Sequence, residues 1–345
     1  MACKGDEPRL SENIEAVLAQ EYPSYRTIVV TDTNRDPAYS VAETTLNRHP
    51  DKNAQLYTAD SYPKASGKVA AVLTGLKKDN LESEVYAFVD SDALTTSRWL
   101  RDITDPLKDR AVGATTGFRW YFPERGGLWS HVESAWNASG TNLMFNGRYN
   151  FPWGGAMAIR RDVIKSVNLQ SVWETAISDD LSLNSVLRSH GYRIVFVPQC
   201  MVITFNQATM ASLLRWATRQ IALTKSFNPT LWSYGRAAYG LFTVLNVLAT
   251  VSLIAGFVLS PLWFFPSILL YTPLILGVFR SNQRIQTFKR ALPEFTSQFE
   301  KIRRPHSIAS LIVPWIMTYC IFKSARIKEI EWRGRRYKLT TLAPT

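Results

Sequence analysis

The sequence predicts an α/β fold, a doubly wound parallel sheet followed by membrane-associated helices. Three observations predict it. Strand and helix patterns alternate through the first third of the chain. One apolar strand, Val85 to Val89, ends abruptly in Asp90, Ser91 and Asp92. Further on, Ala237 to Phe279 runs for 43 residues without a charge.

Ser11 to Gln20 has helical spacing, with Ser11 as N-cap and Ile14, Val17 and Leu18 on one face. Tyr25 to Thr31 reads as a strand ending at Asp32, Ala38 to Asn47 as a helix, Ala54 to Thr58 as a strand and Lys68 to Leu76 as a helix. Val85 to Val89 holds five consecutive apolar residues, the pattern of a strand buried on both faces. Asp90 and Asp92 then point to one side of an extended backbone and can share a hard divalent cation. An Asp-x-Asp triplet also arises about once by chance in a chain of this length, so a solvated turn competes with the metal site. In a parallel sheet Asp32 and Asp90 fall at the same edge, where ligands of α/β folds collect.

Ala111 to Phe118 is the next strand and Gly127 to Leu143 an amphipathic helix. Trp153, Gly154 and Gly155 precede an apolar strand, Ala156 to Ile159. The paired glycines permit a close backbone approach to a ligand, and a simple turn explains them equally. Asp179 and Asp180 open a helix running to about Ser189, where acidic residues also suit the helix dipole. Met210 to Thr224, with Leu213, Leu214, Trp216, Ile221 and Leu223 beside Arg215 and Arg219, has the make-up of an interfacial helix.

Charge divides the chain. Residues 1–208 carry 22 Lys or Arg against 24 Asp or Glu, and residues 209–345 carry 18 against 4. At about 20 residues per crossing, the uncharged run is enough for two transmembrane helices, near 237–258 and 262–279. Ser307 to Phe322 is a shorter apolar segment with basic residues on both flanks, which one full crossing cannot place on the same side. A re-entrant or interfacial course satisfies both flanks. The basic excess borders apolar segments and accompanies no nucleic-acid motif, so anionic lipid headgroups, not nucleic acid, are its expected partners. Cys3, Cys200 and Cys320 are too scattered for a disulfide framework or a zinc site and fit a reducing compartment. The sequon at Asn137 is then accidental, and MACKGDEPRL is too polar for a signal peptide.

Taken in order, CKGDE (3–7), Asp32, SGK (66–68), DSD (90–92), GATTGFRW (113–120), WGGAMAIRR (153–161), SDD (178–180), RWATRQ (215–220) and WRGRRY (332–337) resemble the membrane-bound family 2 type glycosyltransferases, particularly the ceramide glucosyltransferase-like branch. The resemblance covers nearly the whole chain. It implies a GT-A (Rossmann-like) nucleotide-sugar-binding domain facing the cytoplasm, on a multi-pass membrane protein whose helices present a lipid acceptor. Asp32 would bind the uracil or ribose of a UDP-sugar, Asp90 and Asp92 would hold the diphosphate through Mg or Mn, and Asp180 would be the catalytic base. Lys68, Trp153, Gly154, Gly155 and Asp179 belong to the expected substrate-binding set. Arg215 and Trp216 match the RW of the family's (Q/R)xxRW signature, the arginine toward the diphosphate and the indole toward the acceptor.

The chain departs from the pattern twice. Ser212 stands where the signature has Gln or Arg, which speaks against processive synthesis. Relatives also carry a membrane helix and a first strand before the CKG element, and residues 1–3 are expected to be too short for that strand. The expected organisation is a GT-A catalytic domain over 1–208, an interfacial region over 209–236, two transmembrane helices over 237–279 and a basic region over 280–345 with the short apolar segment. The expected activity is inverting transfer of a hexose, glucose above others, from a UDP-sugar to a lipid hydroxyl such as ceramide's. A processive polysaccharide synthase and a non-catalytic membrane binder of nucleotide-sugar or lipid are the alternatives. The intact set Asp32, Asp90, Asp92 and Asp180 speaks against the binder, which needs no base.

Overall fold

A computed structural model describes residues 1–332 and 334–339; Arg333, counted in the basic flank and in WRGRRY, lies outside the described residues. The chain divides into two compact units, 1–120 with 140–205, and 121–139 with 206–345.

The first unit opens with β1 (Ala2–Cys3), α1 (Leu10–Leu18), β2 (Thr27–Thr31), α2 (Pro37–Asn47) and β3 (Ala54–Thr58). The order β1-β2-β3 is all parallel, as strand–helix–strand alternation demands. The N-terminal strand, expected to be missing, is therefore present in a two-residue form. It suffices because Cys3 is buried in a cluster with Leu10, Ile14 and Val29, and because Ala2 bridges in the parallel sense to Asp90. Pro37 at the first turn and the Asp36 carboxylate, which accepts from Ala38 N at 2.9 Å, set the start of α2.

Next come α3 (Gly67–Asp79), β4 (Val85–Val89), α4 (Trp99–Thr104), β5 (Val112–Thr116) and β6 (Arg119–Pro123). Ser66 caps α3 by accepting from Val69 N, and Asn80 ends it at φ 54°, a left-handed value that Asn tolerates. After α5 (Leu128–Ser139), which falls in the second unit, the first resumes with α6 (Thr141–Met144), β7 (Ala156–Arg160), α7 (Arg161–Ser166), α8 (Leu169–Trp173), α9 (Asp179–Ser189), β8 (Arg193–Phe196) and β9 (Val202–Asn206).

The second sheet has the order β4-β7-β5-β8 and is mixed, not purely parallel as expected: β7 runs antiparallel to both β4 and β5. Chain entry explains the reversal. Trp153 to Gly155 lie where β4 ends, with Asp90 N donating to Gly155 O at 3.2 Å, so the strand that follows must run back along β4. Every residue of β7 is buried, and Met157 and Ile159 pack with Leu73, Leu76, Leu183 and Trp173 in the core. The expected strand 111–118 stops at Thr116, and Arg119 and Trp120 start β6.

In the second unit α10 (Met210–Phe227), α11 (Pro229–Val258), α12 (Phe264–Ala291), α13 (Thr296–Ala309) and α14 (Val313–Ser324) precede a hairpin of β10 (Glu329–Trp332) and β11 (Arg335–Lys338). Val132, Ala135 and Trp136 of α5 pack with Leu213, Ala217, Val313, Ile316 and Cys320, which ties this early helix to the late ones. Pro229–Val258 and Pro261–Ala291 are long and apolar enough to cross a membrane. Both outrun the expected spans, because helical structure continues into their charged ends. The expected interfacial segment 307–322 is split between α13 and α14, bent by 62° at the break.

Candidate active site

The DSD turn is fixed through its backbone, which leaves its side chains free to converge. Asn13 Nδ2 donates to Ser91 O at 2.8 Å, Thr204 Oγ1 donates to Asp92 O at 2.7 Å, and both residues are buried. Asp90 and Asp92 then meet on one cation of the chain. Arg119 Nη2 is 2.9 Å from Asp90 Oδ2 and 2.7 Å from Asp92 Oδ1, while Nη1 is 2.8 Å from Asp92 Oδ2. Its guanidinium carbon lies 4.9 Å from the centre of the Trp153 ring.

Lys68, in the first turn of α3, joins two carboxylates. Its Nζ is 2.8 Å from Asp90 Oδ1 and 3.1 Å from Asp179 Oδ2, the latter an ion pair without hydrogen-bond geometry. Burial opposes the Lys68 charge, but Asp179, Asp90 and Asp180 together outweigh it and raise its pKa. Burial pushes the Asp179 carboxyl up to about 6 against the pull of Lys68, and Asp180 and Asp90 add to the rise. One ammonium cannot neutralise three carboxylates, and the rise falls on the most buried of them. Asp180, half-buried at the start of α9, accepts from Leu181 N at 2.7 Å and from Ser178 Oγ. Trp173, fully buried, donates its indole N–H to Asp179 O at 3.0 Å and so anchors that helix start.

The glycine pair is a close approach. A Cβ on Gly155 would overlap the Trp153 indole and come within 2.6 Å of Asp90 Oδ2; one on Gly154 would sit 2.8 Å from Asp179 Cγ. Asp32 follows β2 at the same sheet edge and receives Lys4 Nζ at 2.7 Å. Lys68, Asp90, Asp92, Trp153, Gly154, Gly155, Asp179 and Asp180 thus form one cluster, with Asp32 one parallel strand away through β1. Arg215 and Trp216 belong to the other unit, where Trp216 packs edge-on against Trp136 at 4.8 Å and Tyr121 at 5.7 Å, and Arg215 is exposed. Ser212 closes a capping box with Thr209 at the start of α10, which gives the departure from the signature a local role.

Sequence reasoning missed Arg119, Lys4, Asn13 and Thr204. Arg119 and Lys4 stand inside motifs quoted as wholes, and Asn13 is a polar residue on the apolar stripe of α1. Those were the available signals.

The donor set suits a divalent ion with oxygen ligands. Two carboxylates converge on a single cationic position held by Arg119, and Mg or Mn sites of this kind draw their remaining ligands from phosphates and water. Among the described residues no cluster of three or more His, Cys, Asp or Glu can form a cage of its own. Four carboxylates, Asp90, Asp92, Asp179 and Asp180, gather around Lys68 and Arg119, an acidic setting that suits a divalent ion.

A mannosyltransferase from Pyrobaculum calidifontis, solved in complex with GDP-Man and Mn2+, is similar over 94% of this chain and 84% of its own, at 16% identity and a TM-score of 0.48. The family described as glycosyltransferase like family 2 matches residues 1–222, well over half of the chain and every element of the carboxylate cluster, and the protein belongs to it as a glycosyltransferase with a mixed α/β domain.

Proposed function

We propose that the protein is an inverting hexosyltransferase that moves a hexose, glucose above others, from a UDP-sugar to a lipid hydroxyl such as ceramide's, at the cytoplasmic face of a membrane. The observation that carries this reading is the carboxylate cluster at the sheet edge, in a chain that also contains two helices apolar enough to span a bilayer.

Asp90 and Asp92 hold Mg or Mn, which when bound supplies positive charge to the departing diphosphate. Asp32 receives the uracil or ribose. Lys68 aims Asp90, since it holds Oδ1 of that carboxylate. Asp179, with a buried oxygen that lacks a hydrogen bond of good geometry, accepts from a sugar hydroxyl. Gly154 and Gly155 let the sugar lie against backbone beside the Trp153 indole. Asp180 takes the proton of the acceptor hydroxyl on the face opposite the leaving group. Its two hydrogen bonds fix the carboxylate, so attack begins from a defined position.

The test is transfer of radiolabel from UDP-glucose, UDP-galactose, UDP-N-acetylglucosamine and GDP-mannose, each with Mn2+ and a membrane-lipid extract. Label in an organic-phase product of one added sugar from UDP-glucose is expected. Label retained in a polymer overturns the lipid acceptor in favour of a synthase, and label from GDP-mannose alone overturns the UDP-sugar donor.

A further inference from the structure

All four oxygens of Asp90 and Asp92 are engaged by cations of the chain itself. Lys68 holds Asp90 Oδ1, and Arg119 holds the other three: Asp90 Oδ2 and both oxygens of Asp92. The pairing with Asp92 is the two-point fork that guanidinium and carboxylate form best. The Arg119 side chain is only 11% exposed, and the Trp153 ring beside it keeps the guanidinium in place. A bare hydrated divalent ion entering here must expel that guanidinium from both carboxylates and brings no negative group of its own in exchange. A metal ion that arrives on a nucleoside diphosphate brings the exchange partner with it.

We propose that Arg119 is the resident counter-cation of this carboxylate pair, closing it to free divalent ions and releasing it only when the metal comes with a diphosphate, whose oxygens then take the guanidinium. The step is an exchange of ion pairs: metal replaces guanidinium on Asp90 and Asp92, and phosphate replaces carboxylate on Arg119. No covalent bond changes. Arg119 is thereby a positioning residue that makes metal and nucleotide binding mutually dependent, and since coupling between two ligands is reciprocal, each strengthens the other by the same factor. The inference rests on the donor-site reading above.

Free Mn2+ measured by electron paramagnetic resonance during titration of the purified full chain in detergent tests it, with and without UDP or GDP. The wild type is expected to bind Mn2+ weakly alone and at least about tenfold more tightly with the matching nucleotide. Arg119→Gln is expected to bind Mn2+ alone at least about tenfold more tightly than the wild type and to gain less from the nucleotide. Arg119→Lys, which keeps a charge but cannot span both carboxylates, should fall between them. Thermal melts of each variant identify those that fold, and Arg119→Lys decides if Arg119→Gln does not. A nucleotide-free Mn2+ affinity within about twofold of wild type in the deciding variant overturns the proposal, and nucleotide-tightened Mn2+ binding in the wild type then leaves the donor-site reading standing. Absence of Mn2+ binding in wild type and variants alike, with either nucleotide, overturns both.

Discussion

At the scale of single residues, charge and close approach separate two kinds of contribution. Among the described residues Asp180 accepts hydrogen bonds from its own turn, Ser178 and Leu181, so its replacement should touch chemistry more than fold. Asp180→Asn keeps the shape and removes the carboxylate proposed as the base. It is expected to lower kcat by about 10² to 10⁴ with UDP binding unchanged, read by initial rates and by titration calorimetry. A kcat within a few-fold of wild type would assign the base elsewhere. Gly155 contributes through what it lacks. A methyl group there must push the Trp153 ring and the Asp90 carboxylate, and Asp90 is tied to Lys68 and Arg119, so displacement propagates through the ion pairs. Gly155→Ala is expected to lower kcat/KM by about 10², since an ångström of misplacement costs that much, with a melting temperature close to wild type. A variant at full activity would show that the Trp153–Asp90 contact is free to relax.

Among elements, the tie between the end of α3 and the start of β4 shows how a buried carboxylate holds two segments together. Asp79 is almost fully buried and accepts from Glu82 N at 3.1 Å, Ser83 N at 3.0 Å, Ser83 Oγ at 3.0 Å, Tyr86 Oη and Arg26. Burial alone would raise its pKa, but the bonds from Tyr86, Ser83 and Arg26 outweigh it and hold the carboxyl below its ordinary value of 3.8. The unfolded chain therefore takes up the proton first. This stabilisation is fully present above the ordinary value and is lost as pH falls through the lower native one. Asp79→Asn is expected to cost about 3 kcal/mol at neutral pH, seen in denaturant melts, and to flatten the acid side of the stability profile; an unaltered acid limb would exclude Asp79 from it. Elements like α3 and β4 were legible because spacing, caps and apolar runs agree locally: the strands 54–58 and 85–89 fall at the residues the pattern names. What the pattern could not show is non-local. The reversal of β7 depends on where the chain re-enters the sheet, and the grouping of α5 with α10 depends on packing partners more than 70 residues away. The same divide runs through the site. Asp32, Asp90, Asp92 and Asp180 announce themselves at strand and helix ends, whereas Arg119 gains meaning only from β6 carrying it to the end of β4.

For the whole molecule the deciding quantity is apolar surface left uncovered by the protein itself. Only 22% of the apolar window of Pro229–Val258 and 6% of that of Pro261–Ala291 is buried inside the chain. Leu241, Val251, Phe257, Val258, Leu262, Phe265 and Leu269 all lie more than half exposed on these helices. At about 1.5 to 3 kcal/mol for each large side chain fully removed from water, covering such a set in lipid outweighs any gain from leaving it in solution. The charge distribution agrees, since the chain from residue 209 onward carries 18 basic against 4 acidic residues and its exposed Lys323, Arg326, Lys328, Arg336 and Lys338 suit an anionic membrane surface. Peripheral and inserted attachment respond differently to alkaline carbonate, which strips proteins held by charge and spares those held by buried apolar helices. The complete chain is expected to stay in the membrane pellet after a carbonate wash and in high salt. Val247→Arg, at the middle of the uncharged stretch 237–258 of α11, places a charge costing about 3 kcal/mol at the centre of a spanning helix and should move a large share of the protein out of the carbonate-resistant fraction. If the wild type washes off with salt alone, the two helices are not inserted and the apolar faces must be covered by protein.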